Sequence, residues 1–136
     1  MTTSTDAQVR LRSTIADEAI AAVNVARARR SITPALTLED YRNEAYRQIL
    51  IDLRAKEIYP EDITRPADLT DAEASLTIAL ACEAASQRGQ SQQQTTVDLF
   101  AQEGLRWREM YSRAIAKASP IDGLKGTSVS FRWDRG

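Results

Sequence analysis

The stretch Thr95–Ala118, TTVDLFAQEGLRWREMYSRAIAKA, decides the fold class. Val97, Phe100, Gly104, Trp107, Tyr111, Ala114 and Ala118 follow one another at steps of 3, 4, 3, 4, 3 and 4 residues. That spacing lays them along one side of an α-helix, whereas a strand would need a period of two. The span is short for a coiled coil, so the stripe reads as a core or interface face. Gly104 inside it predicts a close approach by another backbone, because a glycine in a helix interior otherwise only weakens the helix. Arg106, Arg113 and Lys117 lie opposite, as on a solvated face. Ser119-Pro120 ends the helix.

Upstream, Gln87–Gln94 is polar and of low complexity, the composition of a loop. The run before it, Leu76–Ala85 (LTIALACEAA), is small and apolar nearly all round. Such a helix packs on several neighbours at once. Its start is predicted at Thr70-Asp71-Ala72-Glu73, which has the form of a capping box, and its end near Arg88. Residues 59–69, YPEDITRPADL, form a connector with prolines at 60 and 66. The acids Glu61, Asp62, Asp68, Asp71 and Glu73 fit no EF-hand spacing and lack its turn glycine, so no metal is expected. An earlier helix opens at Thr37, with Asp40 three residues on and Leu36 placed to staple onto Tyr41. Leu38, Tyr41, Ala45, Ile49 and Leu53 continue it to Ile58-Tyr59-Pro60. Ser31–Pro34 is a break, and before it one helix is predicted from about Asp6 to Arg30. Thr5 or Asp6 caps it, Ile15, Ala19, Ala22, Val23 and Ala26 form its stripe, and Arg27, Arg29 and Arg30 complement its dipole. With a stripe made mostly of alanine, it reads either as part of the core or as an arm that orders on a partner.

The last eleven residues, Gly126–Gly136 (GTSVSFRWDRG), follow a different rule. Val129, Phe131 and Trp133 alternate with Ser128, Ser130, Arg132 and Asp134, as in a half-buried strand. The chain offers no clear second strand, and a lone strand leaves its backbone groups unpaired. An intermolecular arm is therefore expected, with Val129, Phe131, Arg132, Trp133 and Arg135 as partner-binding residues. Phe100, Gly104, Trp107 and Tyr111 are the residues expected to carry core or subunit packing. The chain divides into an N-terminal helix or arm (1–33), a helical core (34–119) and an extended C-terminal arm (120–136). The expected fold is all-α: a small bundle of three to four helices with an arm containing a short strand.

At 136 residues the chain suits one domain. Charge is unevenly spread: five arginines face three acids in 1–33, six bases face thirteen acids in 34–103, and seven bases face three acids in 104–136. An acidic middle between basic ends suits segments that meet different surfaces, and equally suits solvated helix faces with a basic tail. There is no histidine, which removes Ser-His and Cys-His nucleophiles and His-liganded metals. The single cysteine, Cys82, lies among alanines and reads as a small buried hydrophobe. No apolar run approaches the roughly 18–20 residues of a membrane span, and the N-terminus lacks the pattern of a signal peptide. P-loop, G-x-G-x-x-G, C-x-x-C and G-x-S-x-G motifs are absent. An all-helical enzyme gripping an anionic substrate with Arg and Lys from several helices stays open at this point. A helix-turn-helix fits poorly, since the connector is long and the middle of the chain acidic.

Residues 44–85, EAYRQILIDLRAKEIYPEDITRPADLTDAEASLTIALACEAA, and 97–123, VDLFAQEGLRWREMYSRAIAKASPIDG, resemble the head–tail connector (adaptor, or head-completion) proteins of tailed bacteriophages and gene transfer agents. The resemblance lies in the order and character of elements from about Leu36 to Gly136: a core helix ending near a proline, a small-residue helix, a long helix with aromatic and Arg/Glu residues, then an extended arm. The N-terminal helix is a departure from it or an elaboration on it. The resemblance implies a structural virion protein of the neck, assembled in the host cytoplasm, with no enzymatic activity, cofactor or metal. It implies a dodecameric homo-oligomeric ring below the portal protein, with the arm reaching the portal. The opposite face then meets a stopper or tail-terminator protein, and DNA passes through without sequence-specific binding and without any membrane. The alternative is a non-phage helical interaction module whose tail adds a strand to its partner.

Overall fold

The computed structural model describes residues 3–63, 65–88 and 93–117. Among them five α-helices follow one another: α1 (Asp6–Arg12), α2 (Ile15–Arg29), α3 (Leu38–Ala55), α4 (Pro66–Arg88) and α5 (Gln94–Lys117). A single 3-10 turn, Pro60–Asp62, leads from α3 towards α4, and no strand occurs among the described residues. The architecture is the expected all-helical bundle. The arm residues Val129, Phe131, Arg132, Trp133 and Arg135 lie outside the described residues.

Helix ends are set mostly by neighbours in sequence. At the start of α3 the Thr37 hydroxyl accepts from the Asp40 amide at 3.3 Å, and the Asp40 carboxylate accepts from the Thr37 amide at 2.8 Å, the expected capping box. Thr5 and Gln8 form a second box at the start of α1. Both α2 and α3 end in Schellman turns built without glycine. Ser31 (φ 58°) and Glu57 (φ 59°) take the left-handed position. The Ile32 amide then donates to the Arg27 carbonyl at 3.0 Å, and the Ile58 amide to the Leu53 carbonyl at 2.9 Å. Ile58 and Leu53 are both buried, giving the apolar contact that accompanies such a turn.

Two boundaries differ from the sequence reading. The predicted helix over 6–30 is broken: Ser13 is extended (φ −168°, ψ 143°), and α1 and α2 are separate helices. The small-residue helix begins not at Thr70 but at Pro66, where a proline at the first helical position loses no hydrogen bond. Thr70 and Glu73 therefore sit inside α4 and form no capping box. Glu73 is fully buried, and its carboxylate turns to residues 3 and 4 instead.

α4 occupies the centre, with α1, α2, α3 and α5 all packed on it and α5 making the most extensive contact. This is what a helix without a polar face requires. Leu69, Leu76, Ile78 and Cys82 are buried along it, and alanines at 72, 74, 79, 81 and 85 let the surrounding helices approach closely. Val9 of α1 and Ala16, Ala19, Ile20 and Val23 of α2 belong to the same core cluster as Ile49 and Leu53 of α3. The Asn24 side chain fixes the crossing from α2 to α3, pairing both the amide and the carbonyl of Leu36 at 2.8 Å.

Candidate functional site

The structure brings Phe100, Gly104, Trp107 and Tyr111 together on the face of α5 that meets α4, all of them buried. The stripe then continues to Ile115, which is buried, while Ala114 is only partly so. A strict seven-residue repeat drifts around a straight helix of 3.6 residues per turn, so the buried face moves one position on. Ile115 was missed for that reason. A Cβ added at Gly104 would lie 3.2 Å from Glu83 Cγ and 3.5 Å from the Glu83 amide nitrogen. The predicted close approach is thus the backbone of α4, running antiparallel to α5.

A polar layer borders this seam. Arg108 grips Glu83 with both arms of its guanidinium, at 3.0 and 2.7 Å, which raises the arginine's pKa, chiefly through the hydrogen bond. The Tyr111 hydroxyl donates to Asp52 of α3, whose other oxygen accepts from Gln48 at 2.9 Å. Burial, and then the Asp52 carboxylate, raise the phenol's pKa. The folded state thus holds the phenolic proton more tightly than the unfolded chain does. The resulting stabilisation is present below the ordinary tyrosine value of about 10 and is lost as pH rises through the folded value. Tyr111→Phe is expected to cost about 1–2 kcal/mol near neutrality. Its deficit against the unaltered protein should shrink once pH exceeds about 10. Urea midpoints for both proteins on either side of that pH check this.

At the base of the bundle, where α5 ends, Arg12, Asp68, Asp71, Ser75, Met110, Arg113, Ala114 and Lys117 line an open cleft of about 340 Å³. Arg12 pairs with Asp71, Arg65 with Asp68 at 3.4 Å, and Arg113 with Glu109 at 3.4 Å. The basic face seen in the sequence is thus divided: Arg113 and Lys117 border this cleft, while Arg106 lies 5.5 Å over the Trp107 ring and 3.6 Å from Glu103. On the outside of α3, Leu50 and Ile51 stand between Arg47 and Arg54, with Ile51 62% exposed. Leu105, on α5, is 74% exposed.

Cys82 is fully enclosed and its thiol is pushed up to about 12, mainly by burial, so it is not a nucleophile at neutral pH. Among the described residues no group of three or more His, Cys, Asp or Glu is placed to hold a metal ion, and no helix is long and apolar enough to cross a membrane.

The residue most poorly read from sequence is Glu73. Its carboxylate accepts the Thr3 amide at 2.9 Å, the Ser4 amide at 2.6 Å and the Ser4 hydroxyl, while the Thr70 hydroxyl donates to the Thr3 carbonyl at 3.2 Å. Arg42 of α3 closes the same segment by donating to the Ser4 carbonyl at 2.5 Å and to Asp6 at 2.7 Å. An acid flanked by Ala72 and Ala74, just before the apolar run Leu76–Ala85, was the available signal. Comparison with protein-family models, with curated proteins and with solved structures gives no match.

Proposed function

We propose that this protein is a head–tail connector of the tailed-phage adaptor type. It is a structural virion protein whose ring below the portal extends the DNA channel and joins capsid to tail. The observation that carries this reading is the order and character of the elements. A core helix, α3, ends ahead of Pro60; a small-residue helix, α4, is enclosed by its neighbours; and a long α5 bears aromatics on one face and Arg/Glu pairs beside it. In sequence there follows a segment in which large apolar and polar residues alternate. In this reading Val129, Phe131, Arg132, Trp133 and Arg135 engage the portal protein. The opposite end of the ring receives a stopper or tail-terminator protein.

The test is a mixture of the purified protein with a candidate portal ring, viewed by electron microscopy. The full chain is expected to add a layer to the portal. A version lacking residues 126–136 should keep its helical circular dichroism and lose that binding. A truncated protein that still docks would remove the arm from the interface. A full chain that leaves the portal bare would overturn the connector reading itself.

A further inference from the structure

The break between α1 and α2 falls at Ser13-Thr14, residue types that suit a helix start, with Asp17 three residues after Thr14. Neither proline nor glycine occurs between Asp6 and Arg30, and the stretch has the composition of one continuous helix. At the junction Ser13 is extended, Thr14 makes no side-chain cap, and only the Ser13 hydroxyl, accepting from the Ile15 amide at 3.1 Å, dresses the start of α2. Longer-range links hold the bent form: residues 3–12 fold back so that Thr3 and Ser4 reach Glu73, Arg42 reaches Ser4 and Asp6, and Arg12 reaches Asp71. These links run from the N-terminal clip to α3 and α4. The Arg10–Asp17 ion pair between α1 and α2, at 3.0 Å, is solvent-exposed, and such pairs contribute little. Val9 is the single buried apolar side chain of α1.

We propose that Ser13–Thr14 is a hinge, and that two copies of this chain exchange their clips, Thr3 and Ser4 of one copy filling the Glu73 site of the other. When the two hinge residues turn helical, α1 and α2 become one helix, Asp6–Arg29, about 36 Å long. The clip then projects from its own body. Every clip contact with α3 and α4 is available on a second copy in identical form, so exchange keeps those contacts and adds helical hydrogen bonds at the hinge. Glu73 dictates that the site is filled in either form, because a carboxylate with no exposed surface is strongly destabilising without its donors. A second copy is the partner that carries the matching Thr3-Ser4-Thr5 segment with Asp6 and Arg12 behind it. The exchange stands whether or not the chain joins a portal.

Two hinge variants push in opposite directions. Ser13→Ala with Thr14→Ala favours the continuous helix by raising helix propensity and removing the Ser13 hydroxyl. Thr14→Pro forbids it, yet suits the bent form, in which Ser13 is already extended and Thr14 has φ −92°. Sedimentation velocity over a range of concentrations is expected to show the Ala pair associating about tenfold more tightly than the unaltered chain. The Thr14→Pro protein should be monomeric throughout. Adding Glu73→Gln to the Ala pair should return it to monomer, with circular dichroism reporting that α2–α5 remain helical. A monomeric Ala-pair protein overturns the exchange. So does a dimer that survives Thr14→Pro, or one that survives Glu73→Gln.

Discussion

Trp107→Ala is expected to destabilise the protein by about 3–5 kcal/mol. The indole is 4% exposed and sits midway along the face by which α5 meets α4. Its removal deletes the largest side chain of that face and leaves a cavity that cannot readily collapse. One turn away Gly104 already sets a backbone contact with Glu83, and one turn beyond, Tyr111 is tied to Asp52. The indole N–H donates to Glu103 at a long 3.3 Å, so most of the loss comes from packing. Leu105→Ala on the same helix is the control. It removes a large apolar side chain that is 74% exposed, and the change should stay within about 0.5 kcal/mol. Urea midpoints at fixed m-value give both numbers. Equal effects at the two positions would contradict this placement of α5.

Glu73→Ala should cost about 3 kcal/mol, a large effect for a surface-seeking residue type. The substitution removes the acceptor of two successive amides and of the Ser4 hydroxyl, and Ser4 itself is 4% exposed. Donors left buried without a partner are more costly than the lost bonds are worth. The effect should also be local: amides of residues 3–12 are expected to exchange with solvent far faster, while those of α4 and α5 keep most of their protection. Hydrogen exchange read by mass spectrometry checks this. Had Glu73 been the capping acid that the local sequence suggests, alanine would cost about 1 kcal/mol and leave residues 3–12 undisturbed.

Features governed by nearest neighbours were legible before any coordinates. The Thr37–Asp40 box, the helix after it, the stripe from Phe100 to Tyr111 and the all-round apolar character of Leu76–Ala85 each follow from residues within a few turns of one another. Gly104 was legible as well, because a glycine in a helix stripe has few other uses. The stripe was misread only at its end, where Ile115 and not Ala114 is buried, since seven-residue spacing and helical twist part company over four turns. The partner-binding role expected for Val129, Phe131, Arg132, Trp133 and Arg135 rests on alternation and residue type, and the described residues do not include them.

From the sequence alone came an all-α bundle, the position of α3, the course of α5, and a central helix that must be covered on every side. These depend on periodicity and capping, which act over one to three turns. Only the tertiary structure decided that the first helix is bent at Ser13–Thr14, that α4 begins at Pro66, and that Glu73 is an internal anion site and not a cap. The start at Pro66 is a local effect of proline at the first helical position. The place of Glu73 and the bend are tied to contacts between residues about seventy positions apart, Thr3 and Ser4 against Thr70 and Glu73. Local propensity favours a continuous helix there by fractions of a kcal/mol per residue. Several charge-assisted hydrogen bonds to a buried carboxylate, at roughly 1.5–3 kcal/mol each, outweigh it.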